Sequence, residues 1–502
     1  MTRTSTLFAP QLSARLTCTI TFCLAILAPA LPAQNAPDDA VMTALRTEVS
    51  RSMQGLSHRT PAPYMISYGV TETSTTLIVA SFGNLLTSST TTQRVLDVDL
   101  RVGDYTLDNT RSIRGVAFEL GRGTRGVQLP LGNDVSALRT AVWRATDQAY
   151  RSAAERYEKV LTNLKVKVRE EDSSADLSRE VPSTFIQPPV AVAFDTVLWR
   201  RRVVELSSIF SGYPEIYTGR VSFQSDVVTK TIITSEGTTV RQYEPIIKLF
   251  VYVKTKADDG MSLPVYESYS AYTADRLPSM EQLRTDANRL LDICRKLRTA
   301  PLMETYSGPA ILSGRSAGVF FHEIFGHRVE GHRQKDANSS QTFKNFVGQR
   351  ILPPFIDVVF DPTIRSLEGI DVVGSYQYDD EGMLAQRVQA VDKGIFQNFL
   401  MSRSPIENFP SSNGHGRRQA GNKAVSRQSN LLVIAQESVP VEDLRSALRD
   451  ECQRQGKEFG LYFEDIQGGF TFTGRTVPNA FNVQPLIVYK VFADGRPDEL
   501  VR

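Results

Sequence analysis

Three of the five histidines in this 502-residue chain fall within eleven residues, as His322, His327 and His332 of HEIFGHRVEGH. In so His-poor a chain, the pattern His322-Glu323-x-x-x-His327 would arise by chance on the order of a few times in a thousand, which makes it a specific signal. Two neutral imidazoles suit a borderline-soft ion, and hydrolytic chemistry needs no redox change, so Zn2+ is the first choice. Zinc lowers the pKa of bound water from ~15.7 to about 7. Glu323, next to the first ligand, is placed to take the proton and pass it to a leaving amine. The bland alternative is three surface or capping histidines around a Gly-rich helix end.

The backbone must meet a condition for this to work. The segment reads as a helix starting near Ser313 or Ser316, either of which can cap the first turn. Ala317, Phe320, Phe321, Ile324 and Phe325 share one face, which predicts burial in a core, with His322, Glu323 and His327 on the other. A regular helix sets residues i and i+5 about 140° apart, too far for both imidazoles to reach one ion. One wide π-type turn would align them, and Gly326 relaxes the backbone limits there. The helix is therefore expected to widen or end at Gly326, bringing His322 and His327 to one metal.

Further candidates surround this motif. Glu330 and His332 could fill an open coordination position or orient a ligand. Asp379, Asp380 and Glu381 form an acidic run that either orients a ligand or substrate amine or is a solvated turn before Gly382. Arg417 and Arg418 could hold a peptide carboxylate as bidentate donors. His415, in the same loop, reads as surface.

The elements carrying these residues follow from pattern. Apolar residues at 41% and charged residues at 22% exclude disordered, collagen-like and multi-span membrane classes. The length favours two domains. Arg3 and Arg15 precede the twelve-residue apolar run Leu16 to Leu27, with small-residue cleavage sites ending at Ala30 or Ala33. Residues 1–33 thus read as a signal peptide and the mature protein as periplasmic or secreted, with no stable membrane span after cleavage. Loss of Arg3 and Arg15 from the 57 Lys+Arg balances them against the 55 Asp+Glu, which removes any global case for nucleic-acid binding. Arg200-Arg201-Arg202 reads as a solvated helix face. Cys294 and Cys452 sit in apolar helical stripes and read as buried, unbridged residues.

The predicted fold class is α+β: two domains of antiparallel sheets with packed helices, the metal-binding helix opening the C-terminal domain. Residues 34–299 form the N-terminal domain and 300–502 the C-terminal one. Strands are expected over 64–70, 75–82, 95–102, 216–223, 227–234 and 240–254, and helices over 39–53, about 142–164, and about 196–210. The charge-dense stretch 169–184 is expected to be an exposed loop or flexible connection.

GRSAGVFFHEIFGHRVEG resembles the metal-binding segment of the TldD/PmbA metallopeptidase family, the gyrase modulators, on its TldD-like side. The similarity continues through Asp379-Asp380-Glu381-Gly382, Gly416-Arg417-Arg418 and Ser426-Arg427-Gln428-Ser429-Asn430. The resemblance implies a zinc peptidase acting on unfolded or short peptides, with His322 and His327 as ligands and Glu323 as base. It also implies a homodimer, or a heterodimer with a paralogue. Family members are typically cytoplasmic, whereas this chain reads as exported. The family's third ligand is a cysteine in a segment following the hairpin seen here as residues 485–502, and Cys452 does not match it, so the chain reads as truncated before that ligand. The competing expectation is a non-catalytic TldD/PmbA-type subunit that binds peptides or a catalytic paralogue.

Overall fold

Long Thr-, Val- and Ile-rich runs make a seven-stranded sheet the frame of the N-terminal half. The structure, a computed structural model, describes residues 39–113, 126–165, 172–336, 338–475 and 481–502. Residues 1–33, the expected signal peptide, therefore lie outside the described residues. β1 (Pro63–Ser81) and β2 (Asn84–Val102) pair antiparallel through the turn Phe82-Gly83, both at positive φ, and β3 (Val127–Gln128) borders β2. β4 (Thr184–Ile186), β5 (Thr218–Thr234), β6 (Thr239–Lys256) and β7 (Ser262–Ala271) complete the sheet, β5 lying between β1 and β6.

The expected breaks inside β1 and β5 are absent. Gly69 marks a close approach instead: a Cβ there would sit 1.4 Å from the Arg418 guanidinium. The strand therefore continues through Gly69 while an arginine from the C-terminal part packs on it.

α1 (Ala40–Leu56), capped by Asp39, and α2 (Val135–Lys165) bury Leu45, Leu138 and Val142 against Tyr68 and Leu96 at one end of the sheet. α3 (Thr196–Ser208) and α4 (Met280–Thr299) cover the other end through Trp199, Val203, Leu290 and Cys294 against Phe223 and Leu249. Cys294 and Cys452 are buried free thiols, as expected. The opposite face of the sheet receives loops of the C-terminal part, with Gln242 Nε2 donating to the Tyr378 carbonyl at 2.6 Å.

A second sheet follows, in which Ala310–Leu312 runs parallel to Phe459–Thr471, itself paired antiparallel with Phe481–Phe492. A third centres on Ile356–Phe360 between Val388–Asp392 and Leu431–Ala435. The architecture is α+β with antiparallel sheets. No helix among the described residues is long and apolar enough to cross a membrane.

The charge-dense stretch is a correction. Residues 169–171 lie outside the described residues, but Asp172, Asp176, Leu177 and Ser178 are buried. Asp176 pairs with Arg111 at 2.9 Å, and Ser178 N donates to the Arg403 carbonyl at 2.8 Å. The segment is a clamp between the two halves, because its charges meet cations that are distant in sequence.

Candidate metal centre

The residue that starts the histidine-bearing helix also ties it to the sheet. Ser313 Oγ accepts from Ser316 N, capping α5 (Gly314–Ile324), and donates to the Glu464 carbonyl at 2.6 Å. Arg315 binds Asp465 at 2.9 Å and pairs with Glu267 of β7. These contacts lay α5 along the strand Phe459–Thr471.

The orientation meets the expected apolar face only in part. Glu323 and Ser316 are the buried residues of α5, while Ala317, Phe320, Phe321 and Ile324 are only half-buried. Phe325, by contrast, is buried in a core with Phe360 and Phe396, and Phe321 packs against that core, while Phe320 meets Phe481 edge-on at 5.6 Å on a more open side. Anchoring through Ser313 and Arg315 outweighs the apolar stripe in setting the helix rotation.

α5 ends where the spacing of the histidines requires. Phe325 closes it, and Gly326–Val329 turn as a 3-10 helix, tightening where a widened turn was the other option. Gly326 is needed for close contact, its φ not being positive: a Cβ there would lie 2.0 Å from Gln428 Oε1. The change of helix type brings the His322 and His327 rings to a centroid separation of 4.6 Å, nearly perpendicular at 78°.

Donor atoms of His322, Glu323 and His327 all lie within 4.8 Å of one another. The Glu323 carboxylate sits between the imidazoles, with Oε1 3.9 Å from His322 Nε2 and Oε2 3.7 Å from His327 Nε2. Glu323 Oε2 is buried with no hydrogen-bond partner, which is costly unless a proton or cation arrives. His322 is half exposed at 49%, while His327 is largely covered at 14%. Burial, then the neighbouring His327 charge, hold the His322 imidazole below its ordinary pKa, keeping a lone pair available. The two ring nitrogens fit a divalent metal of zinc type, and the orphaned carboxylate oxygen beside them is placed as a proton acceptor.

The other expected residues divide. Glu330 is fully buried, with Oε1 2.9 Å from His327 Nδ1 and Oε2 2.7 Å from Arg333 Nε. Burial pushes its carboxyl up, but the His327 hydrogen bond and the charges of Arg333, His332 and Arg427 outweigh this and hold it at about 2. His332 opens the short helix His332–Lys335, outside the His322–Glu323–His327 group. Burial pushes it down to about 4.

Asp379, Asp380 and Glu381 do not form a solvated turn. Asp379 Oδ1 accepts the backbone N–H groups of Glu381 and Met383, and its Oδ2 accepts that of Gly416 at 2.8 Å. Asp380 pairs with Lys230 of β5 at 2.7 Å and with Arg417 at 3.4 Å. Glu381 Oε2 accepts from Arg403 N at 2.7 Å. Arg417 also pairs with Glu244 at 3.4 Å and stacks over Tyr376, so its charge is engaged within the protein. His415 is fully buried, contrary to expectation. Its Nε2 lies 3.0 Å from Ser429 Oγ and its Nδ1 3.1 Å from the Asn413 carbonyl, so the ring pins two loops together.

Sequence reasoning missed Arg333, Arg427 and Gln428 as parts of the site. Arg427 Nη1 reaches Glu330 at 3.4 Å, and Gln428 Nε2 donates to the His322 carbonyl at 3.3 Å. For Arg427 and Gln428 the signal was the run Ser426 to Asn430, already part of the family resemblance but without a role, and nothing in the sequence singled out Arg333.

Comparison with known proteins gives the same direction. Residues 305–482 match the model of the PmbA/TldA metallopeptidase C-terminal domain. A metalloprotease of Methanocaldococcus jannaschii is 30% identical over 217 residues, 42% of this chain and 45% of that protein. A metalloprotease TldD homologue of Buchnera aphidicola is 22% identical over 276 residues, 53% of this chain and 51% of that protein. The chain thus spans about half the length of the curated relatives it matches. Among solved structures, TldE from Thermococcus kodakarensis aligns with a TM-score of 0.59 at 12% identity, covering 91% of this chain and 90% of that one. A proposed modulator of a DNA gyrase from Thermotoga maritima gives 0.57 at 13%, with the same coverage. At such identities the likeness is one of fold.

Proposed function

We propose, because the chain belongs to the TldD/PmbA metallopeptidase family, that it is an exported zinc metallopeptidase hydrolysing unfolded or short peptides. The observation that carries this reading is the unpartnered, buried Glu323 Oε2 between two imidazoles. His322 and His327 would hold the metal, with the Nε2 atoms on the side of Glu323. When bound, Zn2+ supplies Lewis acidity that lowers the pKa of water and polarises a carbonyl. Glu323 Oε2 takes the proton and returns it to the leaving amine, a role suited to a carboxylate without another hydrogen bond to break. The half-exposed His322 side leaves room for an extended peptide, whereas His327 is largely covered and has Glu330 against its Nδ1.

Export rests on Arg3, Arg15 and the apolar run Leu16 to Leu27, and assembly as a homodimer or with a TldD/PmbA paralogue rests on the family. The test is hydrolysis of an unfolded casein-like substrate by purified wild type and Glu323→Gln, alongside zinc content. Zinc in both with hydrolysis only in wild type is expected. Zinc in both with hydrolysis in neither favours the non-catalytic subunit, and hydrolysis retained in Glu323→Gln removes that residue from the mechanism.

A further inference from the structure

We infer that Glu330 is the positioning residue of the metal centre, fixing the tautomer and angle of His327, with Arg333 and Arg427 as its clamps. The inference rests on the zinc reading for its consequence, and on geometry for its substance. Glu330 Oε1 lies on the Nδ1 side of His327, 2.9 Å away. The ring's other nitrogen, Nε2, faces Glu323. A carboxylate behind the ring cannot share the ion that Nε2 meets, so Glu330 orients the ligand and does not become one. With Nδ1 donating to Glu330, the Nε2 lone pair is the one left for metal.

Glu330 is itself held. Oε2 accepts from Arg333 Nε at 2.7 Å, and Arg427 Nη1 lies 3.4 Å from Oε1. Arg333 is anchored through Nη1 to Thr473 Oγ1 at 2.7 Å. The backbone is pinned too, since Leu400 N donates to the Val329 carbonyl at 2.9 Å and Gly331 N donates to the Leu400 carbonyl at 2.8 Å. A side chain at position 331 would meet Met401 Sδ at 2.5 Å, so the chain passes here without freedom to shift. Glu330 therefore transmits the rigidity of the Leu400 segment and of the Arg427 loop to one imidazole.

The experiment has two arms on the full chain. Zinc affinity is measured by competition with a chelator for wild type, Glu330→Gln and Arg333→Gln. Ring 15N NMR on the metal-free forms reads the His327 tautomer. Glu330→Gln is expected to weaken zinc about 10–100-fold and to shift His327 from a single Nδ1–H tautomer toward a mixture, with an unchanged far-UV spectrum. Arg333→Gln, which keeps the carboxylate, is expected to show a smaller loss in the same direction, and it carries the test should Glu330→Gln fail to fold. Unchanged affinity and tautomer in the variants would overturn the inference. Wild type without zinc would sink the metal reading alone, because the tautomer arm still decides whether Glu330 orients the ring.

Discussion

The turn at 322–330 and the acidic turn at 379–381 both bury carboxylates, yet those carboxylates end with different partners. In the acidic turn, Asp380 meets Lys230 and Arg417, Asp379 accepts three backbone N–H groups, and Glu381 accepts one. In the metal turn, Glu323 keeps a buried oxygen without a partner and two ring nitrogens beside it. The acidic turn, whose carboxylates are all partnered and whose one orphaned atom is Arg417 Nη1, holds the C-terminal loops to the sheet, whereas the orphan at 322–330 is a carboxylate oxygen that a cation or proton would satisfy. Satisfaction of valences, more than the presence of charged residues, separates structural from chemical clusters.

The comparison can be broken most forcefully at Asp380. Asp380→Ala leaves Lys230 and Arg417 buried with only Glu244 between them, so urea unfolding should show a loss of about 3–5 kcal/mol. A loss below about 1 kcal/mol would mean that the acidic turn does not fasten the halves together. Glu323→Gln should do the reverse: hydrolysis falls ~10²–10⁴-fold while the thermal midpoint of the metal-free protein holds or rises, since an orphaned carboxylate is replaced by a neutral amide. A lowered midpoint with intact hydrolysis would make Glu323 structural.

A pH series sharpens the contrast. Burial, then repulsion from Glu381, raise the Asp379 carboxyl from its ordinary 3.8 to about 8. The folded state then keeps a proton that the unfolded chain has already lost. Stability from this pair is fully present below pH ~4 and is lost as pH rises through about 8. Glu381→Gln should partly flatten that decline, and an identical pH profile in the variant would show that the Glu381 charge does not raise Asp379. The smallest effect is expected on the surface of α3, where Arg201→Ala should change stability by less than about 0.5 kcal/mol.

The contrast also explains what could be read in advance. The metal turn was legible because its three donors lie within six residues, and the alternative of a helix ending near Gly326 follows from i, i+5 geometry. The strands, the helices and the two buried thiols were legible from periodicity. The acidic turn was not, because its cations come from Lys230 and Arg417, far along the chain. Nor was the rotation of α5, where Ser313 and Arg315 bind groups of distant strands. Gly69 shows the same limit: its role as a landing site for Arg418 is invisible without the partner.

The central claim is that His322 and His327 hold one zinc, and elemental analysis of protein purified from zinc-sufficient medium tests it most directly. The account predicts about one zinc per chain in wild type and none in His322→Ala or His327→Ala, with folding intact by far-UV circular dichroism. Wild type without stoichiometric zinc, or histidine variants that retain it, would contradict the account.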